Sequence, residues 1–246
     1  MPSDSSIAPA RADRAARMAG MLLLATAAVT VVMAAMRVLG DPDQPTLFES
    51  LQAIGDNRVI YGVGGAARFV SGVTLLAAGW YLSRTWIIRN RLVAPLVAYL
   101  LIASGAITAV SGVCAILIAL LPTPEATWVD GVLASDIPTL VEAISYLRWL
   151  TGKIGFAAAG IALLIAARSQ WRARGTLRTT APALAVTGVA MQFIWIDSAT
   201  IVHPIVGAAF FLWLVAVGTM LATGRVERHF IAAYGSPELR GQPAGP

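Results

Sequence analysis

The sequence predicts an all-α protein, a polytopic bundle of six transmembrane helices with both termini in the cytoplasm. Composition is the first observation, because the 246 residues are 57% hydrophobic and only 13% charged, with a mean hydropathy of +0.73. Too little polar surface remains to solubilise a globule of this size. The second observation is a set of six long apolar runs, and the third is the alternation of basic and acidic segments between them.

Each apolar run is predicted to cross the bilayer as a helix. A hydrocarbon core about 30 Å thick requires roughly 20 helical residues at 1.5 Å per residue. The predicted spans are about 18–39, 61–82, 92–121, 150–167, 181–196 and 201–222, of which the third is long and the fifth short. Every run exceeds the ten or so alternating residues of a barrel strand. Residues 1–17 are predicted to be a disordered, basic cytoplasmic tail before the transmembrane domain 18–224, and 225–246 a second cytoplasmic tail, disordered at its end.

The basic residues predict the orientation. Thirteen of the eighteen Lys and Arg residues lie before the first run, between the second and third, between the fourth and fifth, and after the sixth. The other three connections are mostly acidic. Cytoplasmic loops concentrate Lys and Arg, so both termini are predicted to be inside. The basic pI near 10 is then explained by arginines that face anionic lipid, and no nucleic-acid partner is expected.

The connection from Pro122 to Trp149 is the longest in the chain. Its second half, from Ile137 to Leu147, carries apolar residues at helical spacing. This pattern indicates a helix, for which two positions stay open. The helix could lie on the outer membrane surface, or it could extend the fourth span.

Five basic residues lie on the predicted outer side, where the orientation rule does not require them: Arg37, Arg58, Arg68, Arg148 and Lys153. A charge at membrane depth is costly and usually marks function. Arg68 lies two turns inside the second span if that helix begins near Tyr61, and it reaches the interface if the helix begins near Ala66. Both positions stay open at this stage.

The predicted site is a polar, ligand-binding cavity in the outer half of the bundle. Its predicted lining residues are Arg68, Glu142, Lys153, Asp197 and His203. The alternative is a set of structural ion pairs at the interface, since such pairs also gather opposite charges at one level. No catalytic residue, metal site or cofactor is predicted. The two histidines, His203 and His229, lie at opposite ends of the sixth run and cannot together ligate a haem.

Three stretches carry a resemblance to a known family. They are RAARMAGMLLL (Arg14 to Leu24), NRVIYGVGGAARFVSGVTLLAAGWYLSR (Asn57 to Arg84) and FLWLVAVG (Phe211 to Gly218). They resemble bacterial six-helix integral membrane proteins classified only as a domain of unknown function. The resemblance implies the same fold and a bacterial-type cytoplasmic membrane as the location, and no activity. Where that family often has an acid in the second helix, this chain has Arg68.

Two classes of function stay open. The first is a non-enzymatic accessory, stabilising or regulatory component of a membrane assembly, which short loops and the lack of a soluble domain favour. The second is a small transporter or a binder of lipophilic ligands that uses the outer cavity. The expected partners are membrane lipids and either another membrane protein or a second copy of this chain.

Overall fold

Helices dominate the architecture. The computed structural model describes residues 13–40, 44–121, 126–129, 132–135, 137–173, 175–196 and 202–234. In chain order its elements are α1 (Arg14–Gly40), α2 (Leu47–Asp56), α3 (Arg58–Ser83), α4 (Trp86–Arg89), α5 (Pro95–Leu120), β1 (Ala126–Val129), β2 (Val132–Ser135), α6 (Thr139–Trp171), α7 (Thr176–Ala190), a 3₁₀ segment (Met191–Trp195), α8 (Val202–Ala222) and α9 (Arg225–Tyr234).

Five of the described helices are long and apolar enough to cross a membrane: α1, α3, α5, α6 and α8. They correspond to the first four predicted runs and the sixth. The helical fold class is confirmed, and the length and composition of these helices are those of a membrane protein. The fifth run corresponds to α7 and the 3₁₀ segment, which have 15 and 5 residues. Neither part alone reaches the roughly 20 residues of a typical span. Six crossings therefore stay a prediction.

The long connection resolves into two parts. α6 is one helix of 33 residues that begins at Thr139, so the predicted helix from Ile137 to Leu147 extends the fourth span. Before it, β1 and β2 pair antiparallel with Val129 opposite Val132. This hairpin adds a strand pair that the all-α prediction does not include.

The short amphipathic helix α2 covers one end of the bundle. A capping box begins it, in which Thr46 Oγ1 accepts the Glu49 N–H at 3.2 Å and a Glu49 carboxylate oxygen accepts the Thr46 N–H at 3.1 Å. Its buried residues Leu51 and Ile54 join an apolar cluster with Tyr61 and with residues of α5 and α6. We call this end of the molecule the α2 end.

α3 and α5 are antiparallel and in close backbone contact. At Gly72 the two backbones leave no room for a side chain. An added Cβ there would overlap the backbone nitrogen of Ala109 and lie 2.6 Å from the carbonyl oxygen of Gly105. Small residues let helices approach in this way where lipid offers no hydrophobic drive for association. The contacts repeat every seven residues on both helices, at Gly65, Gly72 and Gly79 of α3 and at Ala98, Gly105 and Gly112 of α5.

α7 and the 3₁₀ segment run back along α6. An added Cβ on Gly160 of α6 would lie 2.9 Å from the carbonyl oxygen of Gly188, so the two helices touch through glycine. Further along, Gln192 Nε2 donates a hydrogen bond of 3.1 Å to the carbonyl oxygen of Ala157. α6 therefore has a packed partner along the length of this segment.

The opposite end of the bundle, which we call the α9 end, holds the two ends of the described chain together. The Asp13 N–H donates to both carboxylate oxygens of Glu227, each at 3.2 Å. The Asp13 carboxylate in turn accepts the N–H groups of Ala15 at 3.0 Å and of Trp86 at 2.9 Å. One carboxylate thus caps the first turns of α1 and α4, and the other attaches α9 to the start of α1.

This arrangement predicts a pH-dependent stability. Burial raises the pKa of the Glu227 carboxyl above its ordinary value of 4.5; the hydrogen bond from Asp13 opposes the rise, and the Asp13 charge adds to it. The folded state therefore binds the Glu227 proton more tightly than the unfolded state, and this group's stabilisation falls as the pH rises from about 4.5 through the folded-state pKa.

We expect Glu227→Gln to remove the loss of stability with rising pH that Glu227 causes. Glutamine keeps an acceptor for the Asp13 N–H and carries no charge. The variant should unfold at a higher temperature than wild type at pH 8 and at nearly the same temperature at pH 4. Thermal unfolding in detergent between these pH values measures the difference. Parallel curves for the two proteins would contradict the assignment to Glu227.

Candidate functional site

A small cavity lies at the α2 end, where α1, α3, α5 and α6 meet. Its volume is about 40 Å³, which is room for about three water-sized groups at roughly 10–15 Å³ each. Its polar lining consists of Arg37, Tyr61, Arg68 and Arg148, and the other lining residues are apolar side chains or glycine. None of the described residues that line it is acidic. The cavity therefore has a strongly positive lining.

Arg68 lies well inside α3. The helix begins at Arg58, so Arg68 is ten residues, or about 15 Å, from its start. Arg68 Nη1 donates to Ser111 Oγ of α5 at 3.1 Å, and Ser111 donates to the carbonyl oxygen of Arg148 of α6 at 3.0 Å. This chain of hydrogen bonds joins three helices at one level. The helix begins before Tyr61, as in the first of the two positions predicted for Arg68; the depth of Arg68 in the membrane stays a prediction.

Arg148 and Tyr61 face each other across the cavity. The Arg148 guanidinium carbon lies 5.9 Å from the centroid of the Tyr61 ring, a cation–π distance. Tyr61 is only 8% exposed, and its buried hydroxyl makes no hydrogen bond within the described protein; nor does the buried Arg148 Nε. A buried polar group without a partner costs roughly 1–3 kcal/mol. Both groups belong to residues that line one cavity, so hydrogen-bonding groups held in that cavity could supply the missing bonds.

Lys153 lies on another face of α6. It is buried, and its Nζ lies 3.9 Å from the centroid of the Trp149 ring. Positions 153, 157 and 160 share one helix face at i, i+4 and i+7 spacing, and Ala157 and Gly160 of that face contact Gln192 of the 3₁₀ segment. Lys153 therefore points away from the cavity, which lies on the side of Arg148.

Of the other three predicted site residues, Glu142 is not among the described residues that line the cavity. Glu142 is exposed in the first turn of α6. Asp197 lies outside the described residues. His203 lies in the first turn of α8, and its side chain is outside the described part of the chain.

Of the three predicted residues whose side chains the structure describes, Arg68 alone lines the cavity, where Arg37, Tyr61 and Arg148 join it. The unexpected basic residues on this side were a signal for the two further arginines. Tyr61 had a weaker signal, its position seven residues before Arg68 on one helix face.

The chemistry of this lining is recognition of an anion. A guanidinium presents planar, forked N–H donors that match carboxylate and phosphate oxygens, and it keeps its charge at any physiological pH. Ser111, whose hydroxyl accepts the hydrogen bond from Arg68, is fully buried and donates a hydrogen bond to a backbone carbonyl. In the part of the chain that the structure describes, no group of three or more His, Cys, Asp and Glu residues could hold a metal ion.

Comparison with protein-family models, with curated proteins and with solved structures returns no match. The fold and the cavity define this chain as a helical membrane protein with an arginine-lined site. Its resemblance to the bacterial six-helix family stays an expectation from the sequence.

Proposed function

We propose that this protein is a six-span membrane protein of the ligand-binding class, which holds an anionic group at the α2 end of its bundle. The observation that carries the proposal is the meeting of three guanidinium groups around one small cavity that no described carboxylate lines. Of the two classes of function predicted from the sequence, this observation favours the second, a transporter or ligand binder. It also predicts that the ligand is an anion. An accessory role in a membrane assembly stays a prediction from the sequence.

The contact between the chain ends supports an even number of crossings. The Asp13 N–H, before α1, donates to Glu227, after α8, so both residues are on the same side of any membrane that the bundle spans. Five long apolar helices alone would put them on opposite sides. One further crossing makes the number of crossings even and puts the two residues on the same side. Among the described elements, α7 together with the 3₁₀ segment is the candidate for this crossing.

The length of that segment fits a crossing. Its 15 α-helical residues rise about 22 Å at 1.5 Å each, and its 5 residues of 3₁₀ helix rise about 10 Å at 2.0 Å each. Together they extend about 32 Å, close to the thickness of the hydrocarbon core. The tighter 3₁₀ winding therefore compensates for the short apolar run.

Charges support the α9 end as the cytoplasmic one, and aromatic residues support the position of the bilayer along the helices. The connections there are the Arg-rich ones, as the orientation rule requires. Exposed aromatic residues lie at two levels of α6, at Trp149, ten residues after the helix begins, and at its last residue Trp171, about 33 Å apart along the helix. Trp and Tyr concentrate at the two membrane interfaces. With this orientation, we propose that the cavity lies in the outer half of a bacterial-type cytoplasmic membrane.

Inorganic sulfate tests for the anion site. We expect sulfate to raise the free energy of unfolding of the detergent-purified protein by RT ln(1 + c/Kd), where c is the sulfate concentration, and the unfolding temperature with it. At a sulfate concentration of ten times the Kd, the expected gain is about 1.4 kcal/mol. Chloride at equal ionic strength should give no such increase. Arg148→Gln should lose the sulfate effect, because it removes the guanidinium that faces Tyr61.

The matched control is Arg58→Gln, which removes an outer-side arginine that does not line the cavity. It should keep the wild-type response to sulfate. Equal stabilisation of wild type and Arg148→Gln would mean that sulfate acts on the general surface, and the proposed anion site would then be wrong.

A further inference from the structure

We infer that the anion is the phosphate group of an anionic phospholipid, held in the cavity while the acyl chains lie along the outside of α1. The inference rests on the proposed function and names the ligand of the same site. It depends on four features: the size of the cavity, its level in the membrane, the helix that covers it and the surface beside it.

The cavity is the size of a headgroup oxyanion. A volume of about 40 Å³ holds about three water-sized groups, which matches the oxygens of one phosphate and excludes a whole amphiphile. The donors around it are of the right kind, because Arg37, Arg68 and Arg148 offer guanidinium N–H groups and Tyr61 offers a buried hydroxyl without a hydrogen-bond partner. Arginine pairs with phosphate through charge-assisted and frequently bidentate hydrogen bonds.

The cavity also lies at headgroup level. Arg148 immediately precedes Trp149, and Trp149 stacks on Tyr146 with 5.6 Å between ring centroids. Both rings are exposed, as is usual for the aromatic belt between acyl chains and headgroups. The phosphate of a phospholipid in the bilayer lies at this depth, so it could bind in the cavity without a change in its depth.

Access favours entry from the lipid. At the α2 end, α2 packs on the apolar cluster that includes Tyr61 and Ala115, and both of these residues line the cavity. The water-facing side is therefore partly covered. The α1 side differs, since its lining residues Met33 and Met36 are only partly buried and the rest of α1 from Val31 to Leu39 is exposed.

That exposed surface of α1 suits acyl chains. Val31, Val32 and Leu39 present apolar side chains on the outside of the bundle. Methionine is unbranched and adapts to an irregular neighbour, and two methionines form the α1 wall of the cavity. A lipid can therefore place its phosphate among the arginines while its chains remain in the membrane.

Native mass spectrometry of the full chain in a neutral detergent tests the inference. The probes are dioleoyl phosphatidylglycerol, dioleoylglycerol with the same chains and no phosphate, and glycerol 3-phosphate with the phosphate and no chains. We expect one phosphatidylglycerol to bind at least about tenfold more tightly than either fragment. Arg148→Gln should weaken its binding about tenfold and Tyr61→Phe about threefold, as expected for loss of a charged and a neutral hydrogen bond.

Tyr61→Phe keeps the ring and removes only the hydroxyl, so it separates loss of binding from loss of folding. Arg58→Gln should bind like wild type. Equal lipid binding by all four proteins would mean non-specific annular lipid and would overturn the inference.

A different result would separate the lipid inference from the proposed function. If glycerol 3-phosphate binds as tightly as the lipid, and Arg148→Gln weakens the binding of both, then the site binds a soluble anion. The lipid inference is then wrong and the proposed function stands. Failure of the proposed function gives a different result, in which neither sulfate nor any of the three probes distinguishes Arg148→Gln from wild type.

Discussion

Replacing Gly72 by alanine is expected to separate α3 from α5 and to cause a large loss of stability. The new Cβ would overlap the backbone nitrogen of Ala109 and lie 2.6 Å from the carbonyl oxygen of Gly105. Both are backbone atoms, which cannot turn aside as a flexible side chain can. Overpacking of a core typically costs about 1–3 kcal/mol, and we expect a cost at the upper end of this range or above it.

The effect should extend to the cavity. Arg68 is one turn before Gly72 on α3, and its hydrogen bond to Ser111 requires α3 and α5 to stay close. We therefore expect Gly72→Ala to lower the unfolding temperature in detergent by several degrees and to weaken the sulfate response together with it.

Gly62→Ala is the matched control on the same helix, because its added Cβ meets only the Ala119 Cβ, at an ordinary 3.6 Å. It should unfold at or slightly above the wild-type temperature, since alanine favours a helix over glycine by about 1 kcal/mol. A Gly72→Ala protein as stable as Gly62→Ala would contradict the close contact of α3 and α5.

Cysteine labelling is expected to give an all-or-none result on the number of crossings. The only native cysteine, Cys114, is buried in α5, so Cys114→Ala serves as the background. Gln52 of α2 and Arg228 of α9 are exposed. In intact bacterial cells, a membrane-impermeant maleimide should label Gln52→Cys and leave Arg228→Cys unlabelled, and permeabilised cells should label both.

Asn90→Cys distinguishes the alternatives, because Asn90 is exposed between α4 and α5 and its side does not depend on α7. It should be protected in intact cells. Protection of Asn90→Cys with labelling of Arg228→Cys would mean five crossings, so α7 would not span. Protection of Gln52→Cys with labelling of Asn90→Cys would mean the inverted orientation, and the cavity would then face the cytoplasm.

The sequence predicts the spans well because they depend on a local property, the length of apolar helix that a bilayer requires. The second predicted span, 61–82, compares with α3 at Arg58–Ser83, and the sixth, 201–222, with α8 at Val202–Ala222. The fourth run is less well bounded, since α6 begins at Thr139, well before the strongly apolar stretch. Polar residues such as Glu142 and Ser145 lie in that extension and lower its mean hydropathy, so an apolar run does not reveal it.

The site is harder to predict because it depends on which helix faces meet. Arg68 and Lys153 are both basic residues near the same end of the bundle, yet Arg68 lines the cavity and Lys153 lies on the far face of α6. One helical position turns a side chain by about 100°, so a list of charges at one depth cannot tell neighbours from residues on opposite faces. Tyr61 enters the site for the same reason, although it carries no charge to mark it.

By itself, the sequence determines that this chain belongs in a membrane, where its long helices lie and which of its arginines are exceptions to the orientation rule. Composition, the length of an apolar run and its flanking charge are properties of neighbouring residues along the chain, so they can be obtained without knowing the tertiary structure. Only the tertiary structure decides that Arg37, Arg68 and Arg148 surround one cavity with Tyr61. The reason is physical: the seven-residue glycine contacts of α3 and α5 fix the rotation and height of each helix, and these decide which side chains meet.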